Sequence, residues 1–176
     1  MYVPKTSLKK KDAAIGVSTY LDLLNTKGEY QGAIWGRISI TAVNENGKIK
    51  LYGWDEEANK EIKVSKYATC KAGTGNYKSF YIISLKNIPL YSKIFRDVDG
   101  ASTTEKVKSS TKYAYNIGFN LSGDKNKSSG KLYIDNVKVV SGSKKITSID
   151  FSKKIDYWGW VKGKDITKKK MAIVKF

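Results

Sequence analysis

The chain has 176 residues, one cysteine and no histidine, and its 33 lysine and arginine residues outnumber 16 aspartates and glutamates to give a formal charge of +17. Serine triads and cysteine–histidine dyads are therefore excluded, and a lone Cys70 closes no internal disulfide and builds no zinc or dithiol centre. No apolar run approaches the roughly 20 residues needed to span a bilayer, so no membrane partner is expected.

Arg37 and Arg96 are the only arginines; every other basic residue is a lysine, and the lysines are spread along the whole chain. A field of this strength points to an anionic partner or surface: nucleic acid, an acidic polysaccharide or a teichoic-acid-rich wall. Arginine, the bidentate reader of phosphate, is nearly absent, so nucleic acid is not expected. A solubilising, lysine-rich surface that also discourages strand edges from pairing is the favoured reading. The N-terminus lacks the apolar stretch of a signal peptide, and Met1 before Tyr2-Val3-Pro4 suits a mature fragment.

In chain order, Leu21 to Asn25 admits a short helical turn. From Ala33 onward, period-2 alternation with β-branched and aromatic residues predicts strands over Ala33 to Val43, Lys48 to Trp54, Glu61 to Thr69, Tyr77 to Leu85, Lys112 to Leu121, Lys131 to Val140 and Ile146 to Phe151. Asn44-Glu45-Asn46-Gly47 predicts a hairpin turn, because Asn-Gly tolerates positive φ. Lys93 to Ser110, rich in Asp, Ser, Thr and Lys, reads as a long surface loop, and Gly123 to Gly130 as a polar loop between two strands. With no linker and no repeat, the expectation is one all-β domain over residues 1–176, an antiparallel β-sandwich.

Successive strand residues point to opposite faces, so each alternation sorts into a core set and an outward set. Ile34, Ile38 and Ile40 with Gly36 form one core set, which turns Trp35, Arg37, Ser39 and Thr41 outward. Ile49 and Leu51 turn Lys50, Tyr52 and Trp54 outward, and the apolar set Tyr113, Tyr115, Ile117, Phe119 and Leu121 leaves Ala114, Asn116, Gly118 and Asn120 on the opposite side. A face holding Trp35, Arg37, Tyr52, Trp54, Asn116 and Asn120 has the two parts that sugar recognition needs. Aromatic faces stack on the CH faces of pyranose rings, and amides or guanidinium groups bond the hydroxyls. Against this, any one such aromatic is more often a packing residue under a loop. Trp158 and Trp160, two residues apart, share a face roughly 7 Å from each other if extended; such a pair follows a glycan chain or closes the end of a sandwich core.

Thr111-Lys-Tyr-Ala-Tyr-Asn-Ile-Gly-Phe-Asn-Leu-Ser-Gly followed by Gly130-Lys-Leu-Tyr-Ile-Asp-Asn-Val-Lys-Val-Val resembles the closing strands of jelly-roll carbohydrate-binding modules appended to cellulases, mannanases and xylanases. Gly75-Asn-Tyr-Lys-Ser-Phe-Tyr-Ile-Ile-Ser-Leu is similar to another strand of those modules, and the match covers roughly Trp35 to Val140. Such modules open on an Asp-Phe-Glu-like strand and a tryptophan-containing segment. Here Ile149-Asp150-Phe151 and Trp158-Gly-Trp160 follow the closing strand, so residues 146–161 supply a circularly permuted or additional strand, or begin a second module. The resemblance also implies a structural calcium, with Asp135 and Asp150 as the carboxylates brought to it.

The function implied is that of a secreted, non-catalytic module that binds a plant-cell-wall β-glycan, either a hemicellulose such as mannan or glucan or amorphous cellulose, and targets an attached catalytic domain. The alternative is a basic surface-attachment domain binding anionic polymers such as pectin or teichoic acid through its lysines, with Lys50 and Arg37 as carboxylate contacts. A glycoside hydrolase needs two carboxylates across a cleft. Asp55, Glu56 and Glu57, with Asp97 and Asp99, are available, but no paired motif stands out.

Overall fold

A computed structural model describes residues 1–25, 27, 29–98, 101–106, 114–123, 133–141, 143–149, 160–161 and 164–165. The strands are, in order, Tyr2–Pro4 (β1), Ala14–Leu24 (β2), Tyr30–Trp35 (β3), Ile38–Glu45 (β4), Lys48–Asp55 (β5), Lys60–Ile62 (β6), Ala68–Ala72 (β7) and Phe80–Leu85 (β8). Lys93–Val98 (β9), Ala101–Lys106 (β10), Ala114–Gly123 (β11), Val137–Ser141 (β12), Lys144–Ile149 (β13), Trp160–Val161 (β14) and Lys164–Asp165 (β15) follow. Among the described residues the only helical elements are three short 3-10 turns, so no helix is long and apolar enough to cross a membrane.

The protein is an all-β antiparallel sandwich. The larger sheet runs β10-β9-β3-β2-β4-β5-β6, with β11 paired along the other edge of β2; the smaller runs β1-β8-β7. Both lie in a compact unit spanning Tyr2–Leu132, while Tyr133–Phe176 with Met1 form a second unit that holds the ribbons β12–β13 and β14–β15. The core of the first unit follows from alternation. Val17, Leu21 and Leu23 of β2 and Ile38, Ile40 and Ala42 of β4 are buried, as are Val3, Ala68 and Ile83 of the smaller sheet. Burying a Leu, Ile or Val side chain contributes about 1.5–3 kcal/mol, and that fixes which way each strand faces.

The central strand is one that the sequence hides. Leu21 to Asn25 is not a helical turn: Leu21 to Leu24 end β2, an eleven-residue strand whose partners β3, β4 and β11 satisfy its backbone on both edges. Lys93 to Ser110 is not one long loop either, since Lys93–Val98 and Ala101–Lys106 pair antiparallel as β9 and β10; a strand at a sheet edge needs little apolar content to pair. The expected strand over Glu61 to Thr69 is broken by a 3-10 turn at Val64–Lys66, and the one over Tyr77 to Leu85 starts only at Phe80 after a turn at Gly75–Tyr77. β12 begins at Val137 rather than Lys131. Residues 124–130 of the expected Gly123 to Gly130 loop lie outside the described residues.

The β4–β5 hairpin forms where the sequence predicts it. Asn46 and Gly47 both have positive φ, +53° and +88°, and Glu45 pairs with Lys48, as a two-residue turn of the favoured hand requires. Buried Asn44 ties this hairpin to the chain before β2. Its amide donates to the carbonyl oxygens of Leu8 (2.6 Å) and Lys9 (3.3 Å), and its side-chain oxygen accepts from the Gly47 N–H (2.7 Å). The substitution Asn44→Ala takes their partner from the buried Leu8 carbonyl, the Lys9 carbonyl and the Gly47 N–H, and is expected to cost about 1–3 kcal/mol in a urea titration; a change within error would show that water replaces the pin.

Candidate functional site

β2 is uninterrupted, so Gly16, Ser18, Tyr20 and Asp22 turn away from the side on which Val17, Leu21 and Leu23 are buried. The register carries this face across the sheet. Gly16 pairs with Thr41 and Thr41 with Tyr52; Ser39 pairs with Trp54 and Trp54 with Glu61; Tyr20 pairs with Trp35. Trp35, Tyr52 and Trp54, expected from alternation to share a face, therefore do so. Asn116 stands opposite Asp22 and Asn120 opposite Ser18, which gives both the register positions of that same face.

Two adjoining shallow depressions lie on it. One of about 310 Å³ is lined by Ser39, Thr41, Tyr52, Gly53, Trp54 and Glu61; the other, about 200 Å³, by Gly16, Val17, Ser18, Ser39, Thr41, Glu56 and Ser122. Ser39 and Thr41 belong to both, so together they make one trough with a hydroxyl floor and an aromatic wall. Trp54 is 40 % exposed and Trp35 36 %, large values for indoles held on a sheet.

The aromatic side chains are held from beneath and from the side. The ring of Tyr20 lies over Gly118 of β11, where any Cβ would overlap it, and meets Trp35 with centroids 5.5 Å apart at 42°. Tyr52 donates its hydroxyl to Glu45, Lys50 Nζ lies 3.5 Å from that carboxylate, and the same ammonium stands 5.0 Å from the centre of the Tyr52 ring. The Tyr52 hydrogen bond, and then Lys50, hold the Glu45 carboxyl below its ordinary range. Asp22 is the opposite case: half-buried on the outward side of β2, its carboxyl is pushed up by desolvation.

Arg37 does something other than reach into the trough. Tyr20 pairs with Trp35, yet Val17, three residues back, pairs with Ile40, five residues on, so Gly36 and Arg37 are two extra residues that bulge between β3 and β4. A Cβ at Gly36 would lie 2.9 Å from the Thr19 carbonyl oxygen, which explains the glycine. Beyond the bulge β3 takes β9 as its neighbour and β4 takes β5. Arg37 fastens the junction. Its Nε donates to both oxygens of Asp55 (2.8 and 2.9 Å) and its Nη1 lies 3.3 Å from Glu57, whose other oxygen accepts from the backbone and hydroxyl of Ser92 (3.0 and 2.5 Å). The backbone closes the same knot, with Arg37 N–H donating to Pro89, Tyr91 N–H to Trp35 and Glu56 N–H to Arg37.

Trp158 and Asp150 lie outside the described residues, and Trp160 is placed by its backbone pairing with Asp165. Asp135 accepts from Asn136 twice, through the backbone N–H (2.8 Å) and the side-chain amide (3.1 Å), in the manner of a local turn. Among the described residues no three acidic, cysteine or histidine side chains are grouped to hold a metal. The sequence reading missed Gly16, Ser18, Tyr20, Asp22, Glu61 and Ser122 as members of the face. The alternation of Gly16, Ser18, Tyr20 and Asp22 with Val17, Leu21 and Leu23 was the available signal, interrupted by polar Thr19. No protein-family model, curated protein or solved structure matches the chain. Fold and surface together define an antiparallel β-sandwich with an open, aromatic-walled sheet face.

The latch gives stability a pH signature. Asp55 is held below the ordinary carboxylate range chiefly by the Arg37 hydrogen bond, and Glu57 chiefly by Ser92 with help from Arg37. Their contribution is complete above the unfolded carboxylate values of about 4 and is lost as pH falls through the lower folded values. Asp22, raised by burial, has the opposite sign: it favours the fold below about 4, and that share is lost as pH rises through its raised value. In urea titrations from pH 7 to pH 3, the native chain is expected to lose midpoint faster than Arg37→Met, which starts lower. Parallel curves would show that the latch does not govern acid stability.

Proposed function

We propose that this chain is a secreted, non-catalytic carbohydrate-binding module of the jelly-roll kind, which lays a β-glycan chain, a hemicellulose such as mannan or glucan or amorphous cellulose, along the trough and so holds an attached hydrolase on its substrate. The observation that carries the reading is the pairing on one sheet face of two exposed indoles, Trp35 and Trp54, with tyrosines beside them and the hydroxyls of Ser18, Ser39, Thr41 and Ser122 between. Rings supply the stacking surface for pyranose CH faces, and hydroxyls exchange hydrogen bonds with sugar hydroxyls in either direction. An open trough, in place of a closed pocket, suits a polymer that enters from the side.

The absence of chemistry is supported by the state of the carboxylates. Glycoside hydrolysis needs one carboxyl kept protonated near neutral pH and a second placed across the sugar. Of the carboxylates that follow Trp54 in the chain, Asp55 and Glu57 are bound by Arg37 and Ser92 and are held ionised. Asp22, raised by burial, has no neighbouring carboxylate contributing to that rise.

Affinity gel electrophoresis against soluble mannan, xyloglucan, mixed-linkage glucan and xylan tests the proposal. Retardation by at least one neutral glycan is expected at low and high salt, with Trp54→Ala and Trp35→Ala each weakening it about tenfold or more while leaving the circular dichroism spectrum unchanged. Full-strength binding by both variants, or retardation by none of these glycans, would overturn it. Release of reducing ends during the incubation would defeat the non-catalytic part.

A further inference from the structure

The outward residues of β5 read Trp54, Tyr52, Lys50 and Lys48 from one end to the other, roughly 7 Å apart in a single row. Two aromatic side chains are thus followed by two ammonium groups along the same line. Lys48 is exposed, and the Lys50 side chain is 60 % exposed. At this end of the row a second basic segment arrives. Exposed Lys9, Lys10 and Lys11 lead into β2, and the Asn44 pin fixes their loop to the β4–β5 hairpin, with Asp12 N–H donating to the Asn44 carbonyl (2.8 Å) and Ala13 N–H to that of Lys10 (3.1 Å). On the row itself Lys48 and Lys50 stand beside Glu45, whose carboxylate is already engaged by Tyr52 and Lys50.

The other end of the row has the opposite sign. Glu61 pairs with Trp54 across the strands and lines the same depression, and Glu56 lines the adjoining one. A polymer with a carboxylate on every sugar would meet repulsion beside Trp54, whereas a wholly neutral one would leave the lysine end unused. We propose that the ligand is a mostly neutral glycan carrying scattered anionic groups, uronate carboxylate or phosphate ester, with a neutral stretch on Trp54 and Tyr52 and an anionic group received by Lys48 and Lys50. The inference rests on the glycan-binding reading above and adds the class of glycan and its direction along the face.

Affinity electrophoresis at low salt with glucuronoxylan and its carboxyl-reduced form, and with a phosphomannan and its dephosphorylated form, tests this and separates the two sources of charge. Polygalacturonate represents the uniformly charged case. Binding about tenfold tighter to one charged polymer than to its neutralised form is expected, a margin that two exposed ion pairs can supply. The charged member of the responding pair identifies the anion. Lys48→Gln, which leaves the contacts among Tyr52, Glu45 and Lys50 in place, cuts the margin and leaves the neutralised form bound as before, while Lys71→Gln, with the same loss of charge on β7, keeps it. Equal binding of both charged and neutralised pairs, equal losses in Lys48→Gln and Lys71→Gln, or polygalacturonate bound tightest would each overturn the inference while leaving the neutral-glycan reading standing. Failure of every polymer to bind, or indifference of all binding to Trp54→Ala, would remove the reading beneath it.

Discussion

The structure depends on a single departure from regular pairing, the two-residue bulge at Gly36–Arg37. A strand has two edges, and one edge of β2 is given wholly to β11; the other is shared by β3 and β4, which are one continuous stretch of chain bent at the bulge. Bending there lets β3 keep β9 as its outer neighbour while β4 keeps β5. The bend also leaves peptide groups without regular ladder partners, and they are taken up by Pro89, Tyr91 and Glu56. Arg37 then clamps the ends of two strands that the bulge has separated. Its fork suits the work, because a guanidinium addresses two carboxylates at once with fixed geometry, which an ammonium on a flexible stem does not. One of the only two arginines in a chain of lysines stands here.

The aromatic sheet face inherits its shape from this arrangement. Because β2 remains straight while its neighbours bend, Tyr20 and Trp35 on the β3 side and Tyr52 and Trp54 on the β5 side project on one surface, with only small polar residues between. Large side chains there would fill the trough, and glycine under Tyr20 lets that ring lie down on the sheet. Two of these rings are also fixed by contacts within the chain: Tyr52 through its hydrogen bond to Glu45 and Tyr20 through Trp35. Rings already ordered lose little rotamer freedom on binding, so stacking is not offset by an ordering cost.

What was legible in the sequence divides along the range of the interactions. The Asn46-Gly47 turn is a local matter of positive φ, and the outward row of β5 is a local matter of alternation; both could be read directly. The central strand β2 could not. Leu21-Asp22-Leu23-Leu24 satisfies a strand or a helical turn equally, and what decides it is pairing with segments as far away as Ala114–Gly123. Alternation places Arg37 outward beside Trp35, but the bulge interrupts that count, and the side chain's partners lie 18 and 20 positions away at Asp55 and Glu57. Alternation identifies faces; it cannot identify where a strand stops counting.

The same distinction between local and global applies to charge. A formal +17 suggests a protein that holds any polyanion, yet exposed charges more than about 8 Å apart hardly sense one another at physiological ionic strength. What matters along this face is therefore the local set: Lys48 and Lys50 toward the β4–β5 turn, and Glu56 and Glu61 lining the depressions near Trp54. On the proposed reading, the overall field would speed encounter with anionic material and set its salt dependence, whereas the order of charges along β5 would set which way a bound chain runs. A surface that were merely solubilising would have no reason to segregate its signs along the row of the sheet that also carries Trp54 and Tyr52. That coincidence is the physical ground for reading the lysines at this end as part of the binding face.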